Sequence, residues 1–191
     1  ACVSSQVGCP LNCAFCATGK MGFKRNLSSE EIIDQILFWN SKLYPKYIGR
    51  IVFMGMGEPF LNWENLLEAL KVLKENLGFG SRKISISTAG IIPKIYEFAD
   101  IDTEINLAIS LHATKQETRE IIMPVAKEYK FPDLIKSLNY YTSRTNRQLF
   151  LEYALIKDVN DSPKDLAELV ALLKSNHLFY LNLIPLNPIK G

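Results

Sequence analysis

Four cysteines near the N-terminus are the residues of this sequence best suited to chemistry. Cys9, Cys13 and Cys16 have the spacing C-x3-C-x2-C, and Cys2 lies seven residues upstream of the first of them. Thiolates this close in sequence can bind one soft metal centre, as in iron–sulfur clusters and zinc sites. Structural zinc sites usually take two ligand pairs, and no second cysteine pair follows here. The triplet therefore favours a [4Fe–4S] cluster whose fourth iron stays open to a small molecule.

A glycine–glutamate motif is the second candidate for chemistry. Residues 51–54 are a continuous apolar run, typical of a buried parallel strand, and Gly57 and Glu58 follow it. Glycines at a strand end let a ligand approach the backbone closely. The carboxylate of Glu58 can meet a cation such as a substrate ammonium. Alone this motif is a weak signal, because most such stretches are turns, but together with the cysteines it indicates a cofactor site.

Strand and helix patterns alternate along the chain, which predicts an α/β fold. Helix starts are indicated by capping boxes at residues 28–31 and 114–117 and by Asn62. Strict alternation favours parallel strands with right-handed crossovers. Six β/α units are too few to close an eight-stranded barrel, so we predict an open (β/α)6 partial TIM barrel. The predicted strands cover residues 2–6, 51–54, 83–88, 105–110, 149–156 and 180–184.

Bulk composition limits the class of protein. With 191 residues, 48% of them hydrophobic, the chain can bury one core, and we expect a single domain over residues 1–191. Its 22 basic and 20 acidic residues argue neither for nor against a nucleic-acid partner. No apolar run reaches the ~18–20 residues that span a membrane, and clustered cysteines indicate a reducing cytoplasm. The chain starts without Met, so we expect a piece of a longer protein.

Polar or glycine-rich residues follow the predicted strands, where β/α barrels place their chemistry. We expect these strand ends to line one shared site. For His112 the alternative is a core histidine bonded to a carbonyl. Glu152 fits a carboxylate facing the barrel mouth or solvent as well as it fits a ligand. In chain order the strand ends carry the cysteine loop, Gly57-Glu58, Ser87, Ser110-Leu111-His112, Glu152 and Asn187.

The cysteine spacing, with Phe15 before the last cysteine, resembles the C-x3-C-x-aromatic-C signature of radical S-adenosylmethionine (SAM) enzymes. The wider strings CVSSQVGC (residues 2–9) and CATGKMG (residues 16–22) are similar to the RlmN/Cfr family of adenine-C2 RNA methyltransferases. This resemblance implies the radical SAM core fold, a [4Fe–4S] cluster held by Cys9, Cys13 and Cys16, and SAM bound at its open iron. The positions that match the family's SAM contacts are Phe15, Gly57, Glu58, Ser87, Ser110, Leu111, His112 and Asn187.

The resemblance implies C2 methylation of adenosine in 23S rRNA and in tRNA through a 5′-deoxyadenosyl radical. A methyl group first moves from SAM to a cysteine near the enzyme's C-terminus, and its carbon then adds to the base. A second cysteine, matched by Cys2, releases the crosslinked RNA by forming a disulfide. No cysteine follows Cys16, and the family's N-terminal accessory domain is missing, so we expect this piece not to complete RNA methylation. Pro59, directly after Gly57-Glu58, is similar to the housekeeping methyltransferases of this family rather than to its antibiotic-resistance enzymes.

The resemblance also implies RNA as the partner, an electron donor such as flavodoxin, a cytoplasmic location without a membrane, and a monomer. Lys20, Lys24 and Arg25 fit an RNA phosphate contact and an ordinary solvated loop equally well. Two other functions stay open. One is a radical SAM enzyme with a different substrate. The other is a metal-binding interaction module without turnover, such as a zinc knuckle that borrows His112 or His177 as its fourth ligand.

Overall fold

The computed structural model describes residues 1–101 and 104–186, in which strands and helices alternate. A small hairpin contains β1 (Gln6–Gly8) and β2 (Phe23–Asn26), and the main sheet contains β3 (Ile51–Phe53), β4 (Ile84–Thr88), β5 (Asn106–Ser110), β6 (Leu149–Leu155) and β7 (Phe179–Pro185). The helices are α1 (Ala17–Lys20), α2 (Ser29–Leu43), α3 (Trp63–Glu75), α4 (Ile92–Asp100), α5 (Gln116–Ile122), α6 (Phe131–Thr145) and α7 (Pro163–Ser175). Among the described helices, none has the length and apolar character that crossing a membrane requires.

Strands β3 to β7 form one parallel sheet in the same order as in the sequence. Strand residues such as Ile84, Leu107 and Leu151 are fully buried, as expected where both faces of a parallel sheet are covered. In the described part of the chain β3 and β7 are the two edges and do not pair with each other, so the sheet stays open. The predicted α/β class and open partial barrel are confirmed.

The first predicted strand, residues 2–6, is wrong in extent. Only Cys2 pairs with the main sheet, through an isolated parallel bridge to Val52. Beyond it, the N–H groups of Ser5 and Gln6 both donate to the carbonyl of Met56, in the loop after β3, at 2.9 and 3.2 Å. Gln6 then begins β1, which pairs antiparallel with β2. Sequence patterns did not indicate β2, because all of its residues are exposed and give no apolar alternation.

The structure confirms one predicted capping box and contradicts another, although a helix begins near both of them. At α2, Ser28 Oγ accepts from the Glu31 N–H at 3.3 Å, and the Ser28 N–H donates to Glu31 Oε2 at 3.0 Å. This is the capping box predicted at residues 28–31. The box predicted at residues 114–117 is absent, because Thr114 Oγ1 instead donates to Glu168 of α7 at 2.9 Å and α5 begins without a side-chain cap.

Asn62 precedes α3 as predicted, but its side chain does not cap that helix. Its Nδ2 donates to the carbonyls of Ser5 and Leu27, both at 2.8 Å, and the residue is buried. These bonds join α3 to the chain on both sides of the β1–β2 hairpin. Because the cysteine loop lies between the two strands of that hairpin, Asn62 helps to fix the loop against the main sheet.

We expect Asn62→Ala to lower the free energy of unfolding by about 1–3 kcal/mol, because it leaves two carbonyl oxygens without their donor. Urea unfolding followed by circular dichroism measures this change. Asn76→Ala, at the exposed opposite end of α3, removes the same side chain and should alter stability by less than about 0.5 kcal/mol. Equal losses in the two variants would contradict the role given to the Asn62 amide.

Candidate active site

The loops after the main strands enclose a cavity of about 370 Å³ at one edge of the sheet. The cysteine loop bounds it on one side, and the carboxyl ends of β3, β4, β5 and β6 bound it on the other. This is the edge at which β/α barrels carry their chemistry. The predicted site residues that the cavity brings together are Cys9, Cys13, Phe15, Cys16, Gly57, Glu58, Ser87, Ser110 and His112.

Backbone hydrogen bonds hold the cysteine loop over this cavity. The Cys9 N–H donates to the carbonyl of Gly22 at 3.1 Å and thereby extends the β1–β2 hairpin. The Ala14 N–H donates to the carbonyl of Ile122 at 2.8 Å, at the end of α5. The loop is therefore attached both to the hairpin and to the helix that follows β5.

Burial favours the protonated form of two thiols of this loop, those of Cys9 and Cys13. It raises the pKa of Cys13 to about 12 and also raises the pKa of Cys9. The negative charges of the neighbouring cysteines and of Glu58 raise the pKa of Cys13 further, while the positive charge of Arg119 lowers it. A metal centre reverses this balance, because a coordinating thiol is deprotonated outright.

The donor set fits an iron–sulfur cluster. All four cysteines carry free thiols, and three of these residues line the cavity. No three His, Cys, Asp or Glu side chains converge on a single metal ion within residues 1–101 and 104–186. A four-iron cluster does not require such convergence, since each of its thiolates binds a different iron. Cys9, Cys13 and Cys16 are therefore placed as a cluster would need them, on one loop at the cavity wall.

Glu58 is buried in the cavity wall, and both of its carboxylate oxygens accept hydrogen bonds. Oε1 accepts from the Phe60 N–H at 3.0 Å, and Oε2 accepts from the Ala89 N–H at 2.7 Å. The Glu58 N–H in turn donates to Gln6 Oε1 at 2.9 Å. Burial raises the pKa of this carboxyl to about 7, although the two N–H groups and the Thr88 side chain oppose the rise. A cationic group in the cavity would favour the ionised form, so the site suits an ammonium.

His112 lies in the cavity as a neutral imidazole in a fixed orientation. Its backbone is left-handed, with φ of 56°, and its ring packs edge-on against Phe15 with centroids 4.4 Å apart. Nδ1 accepts from the Ala154 N–H at 2.9 Å, so the proton of the neutral ring is on Nε2. Burial lowers the pKa of His112 to about 3, and the charge of Arg119 adds to this effect. The ring hydrogen bond therefore comes from a backbone N–H rather than going to a carbonyl, and with Nδ1 occupied and Nε2 protonated the ring has no free lone pair for zinc.

Some of the other predicted site residues line the cavity and some do not. Ser87 and Ser110, at the ends of β4 and β5, line the cavity. Leu111 is fully buried and lies outside the cavity lining. Cys2 is exposed at its bridge to β3 and also lies outside the lining. Asn187 lies outside the described residues.

Several cavity residues carry little or no signal in the sequence. Thr88 and Ala89 line the cavity directly after Ser87. Their position at the end of an apolar strand is the sequence signal that could have identified them. Met123 comes from the end of α5 and carried no such signal. Glu152 lines the cavity, with Oε2 accepting from Asn182 Nδ2 at 2.6 Å, so it faces the barrel mouth rather than open solvent.

The model of the Radical SAM superfamily matches residues 3–170, so the chain belongs to that superfamily. Within it, the chain is 48% identical over 193 residues to the probable dual-specificity RNA methyltransferase RlmN of Dictyoglomus turgidum, covering 99% of this chain and 55% of that protein. It is 50% identical over 196 residues to the protein of the same name from Chlorobium phaeobacteroides, covering 99% and 54%. The chain thus spans about half the length of the curated relatives it matches.

Solved structures agree with this membership. The crystal structure of a radical SAM methyltransferase from Sphaerobacter thermophilus has a TM-score of 0.94 and 40% identity, covering 98% of this chain and 56% of that one. SuiB from Streptococcus suis has a TM-score of 0.70 over 100% of this chain and 40% of that chain, and at 17% identity it shows the fold alone. The resemblance inferred from the cysteine motif and its flanking strings is confirmed.

We expect His112 to stay neutral between about pH 5 and 8, with its proton on Nε2. Nitrogen-15 NMR of the ring measures this, with the exposed His177 as the reference signal. The folded pKa of about 3 lies below the unfolded value of 6.5, so the unfolded chain takes up the proton first and stability falls as pH drops below 6.5. An imidazolium signal above pH 5, or a proton on Nδ1, would contradict the site geometry.

Gly57 has a positive φ of +102°, and a Cβ there would lie 2.5 Å from Gln6 Cβ. Gly57→Ala should therefore displace Gln6, which anchors the Glu58 N–H, and cost about 1–3 kcal/mol of stability from the strained backbone alone. Chemical denaturation and calorimetric SAM binding by the reconstituted protein measure the two effects. Gly80→Ala, with open space and an ordinary φ, is the control and should behave like the parent chain. A Gly57→Ala protein with unchanged stability and SAM affinity would contradict the prediction.

Proposed function

We propose that this chain is the catalytic core of an RlmN-type RNA methyltransferase, which adds a methyl group to C2 of adenosine in 23S rRNA and in tRNA. The observation that carries the proposal is the single cavity that contains three cysteines, a buried carboxylate and a neutral histidine at the strand ends. The names of relatives at 48% and 50% identity, dual-specificity RNA methyltransferases, support the same activity.

Cys9, Cys13 and Cys16 would hold a [4Fe–4S] cluster, which would supply the electron for reductive cleavage of SAM. Glu58 binds the amino group of SAM, because its buried carboxylate gains from a neighbouring cation. Gly57 lets Gln6 pack against this turn, because a Cβ at Gly57 would lie 2.5 Å from Gln6 Cβ, and Gln6 in turn holds the Glu58 N–H. A single charge is costly in a buried site. Ionised Glu58 and a bound ammonium avoid this cost because their charges neutralise each other.

The β4 and β5 ends provide the polar contacts for the rest of SAM. Ser87 and Ser110 offer hydroxyl groups, and His112 offers its Nε2 proton. Phe15 packs against the imidazole and excludes water from that side. Leu111 supports this wall from behind, and Asn187 completes the set of SAM contacts that the family resemblance implies.

Cys2 is the resolving cysteine in this proposal. Its thiol is free and exposed beside β3. The methyl-carrying cysteine can therefore reach it, and the two form the disulfide that releases the methylated RNA. The methyl-carrying cysteine lies outside this chain, since no cysteine follows Cys16. Residues 1–191 therefore form the radical SAM core domain, and flanking segments are needed for methyl transfer to RNA.

The partners are 23S rRNA, tRNA and an electron donor such as flavodoxin, and the protein is a cytoplasmic monomer.

Anaerobic reconstitution with iron and sulfide, followed by dithionite and SAM, should yield 5′-deoxyadenosine. Cys13→Ala should bind less iron and release none of this product, because it removes one of the three cluster thiolates. Met21→Ala is the control, since Met21 is exposed beyond the cysteine loop and contributes no cluster ligand. Iron and sulfide content and chromatography of the nucleoside are the readouts.

The competing functions give different results in the same experiment. Uptake of zinc without a cluster, with SAM left intact, would overturn the proposal and favour a metal-binding interaction module. The RNA substrate is tested on the full-length protein with 23S rRNA, tRNA and methyl-labelled SAM. If the core releases 5′-deoxyadenosine but the full-length protein labels neither RNA, the chain is a radical SAM enzyme with a different substrate.

A further inference from the structure

Arg119 of α5 is a fully buried arginine below the cavity, and it reaches the ends of two strands. Its Nη1 donates to the carbonyl of Ser110 at 3.1 Å and to the carbonyl of Leu111. Its Nη2 donates to the carbonyl of Ala89 at 3.4 Å. One guanidinium therefore joins the turn after β4 to the turn after β5, and both turns carry residues of the cavity wall.

None of the ion pairs among the described residues includes Arg119. Its hydrogen bonds all go to carbonyl oxygens, and its buried Nε has no partner. It is also the one lysine or arginine in the described ranges that is buried. An unpaired buried charge is costly, so a site normally holds one only where an opposite charge compensates it.

With a cluster bound, the cysteine loop would supply that opposite charge. It is attached to the same helix through the Ala14 N–H, which donates to the carbonyl of Ile122 at 2.8 Å. Ile122 lies three residues after Arg119 in α5, so the residue that follows Cys13 is bonded to the helix within one turn of the arginine. Because the iron core offsets only part of the charge of its three thiolates, the loop with a cluster would carry a net negative charge.

We propose that Arg119 is a positioning residue of the radical SAM site, which holds the two strand-end turns together and balances the negative charge of the cluster thiolates. This inference rests on the proposed function, because it requires a cluster on the cysteine loop. Through Leu111, Arg119 also supports the left-handed turn at His112, so its loss should disturb the wall that faces SAM.

Two substitutions separate the hydrogen bonds of Arg119 from its charge. Arg119→Met removes both the charge and the hydrogen bonds. Arg119→Lys keeps the charge but loses the planar fork that reaches three carbonyls. Because a nearby cation favours the reduced, more negative cluster, we expect Arg119→Met to lower the midpoint potential and Arg119→Lys to leave it near that of the parent chain.

The experiment is a redox titration of the reconstituted chain followed by electron paramagnetic resonance, together with calorimetric titration of SAM. SAM should bind about tenfold more weakly to both Arg119 variants, as is typical when a residue that supports a metal site is lost. Arg147→Met is the matched control. Arg147 also has a buried Nε without a partner, but it contacts Asn106 at the opposite end of β5.

The possible outcomes separate this inference from the proposed function. A parent chain that forms no cluster overturns both of them. A parent chain with a cluster, and an Arg119→Met protein with the same potential and the same SAM affinity, overturns the inference alone. Equal shifts in Arg119→Met and Arg147→Met would also overturn it, because they would reflect a general loss of stability. If Arg119→Met does not fold, Arg119→Gln takes its place in the comparison.

Discussion

Parallel pairing of β3 to β7 puts the carboxyl ends of all five strands at one edge of the sheet, and every group of the candidate site depends on that edge. In this arrangement Glu58 and Ala89, separated by 31 residues, come within a 2.7 Å hydrogen bond. The register that pairs Ser110 with Glu152 likewise sets two cavity residues side by side. The sheet supplies a rigid half of the site, and the hairpin with its cysteine loop supplies the other half.

The loop is held in place by hydrogen bonds that are part of no strand ladder and of no helix's own hydrogen-bond pattern. Asn62 binds the carbonyls of Ser5 and Leu27, Gln6 binds the Glu58 N–H, and the Ala14 N–H binds the end of α5. Such contacts are specific in direction, because each hydrogen bond has a narrow geometry. They allow the thiols to be held in one place beside an open barrel without a continuous strand between them.

Charge is distributed in this cavity so that few groups are ionised before ligands bind. Burial keeps Cys13 and His112 neutral and makes the ionisation of Glu58 depend on a cationic neighbour. Arg119 is the exception, as a buried cation with carbonyl partners only. A cluster and SAM would bring both signs of charge at once, which matches a cavity whose wall has an acceptor for an ammonium and donors for polar oxygens, with one buried cation below it.

The sequence alone determined the α/β class, the cysteine triplet, the Gly57-Glu58 turn and the serines at the strand ends, because local spacing and strand periodicity carry that information. It failed for residues 2–6, where contacts with the loop after β3 replaced a parallel strand, and for Thr114, which binds Glu168 instead of capping its own helix. The tautomer of His112, the hydrogen bonds of Asn62 and the buried charge of Arg119 depend on partners 8 to 57 residues away along the chain. Only the tertiary structure brings such partners together, so only the tertiary structure decided their roles.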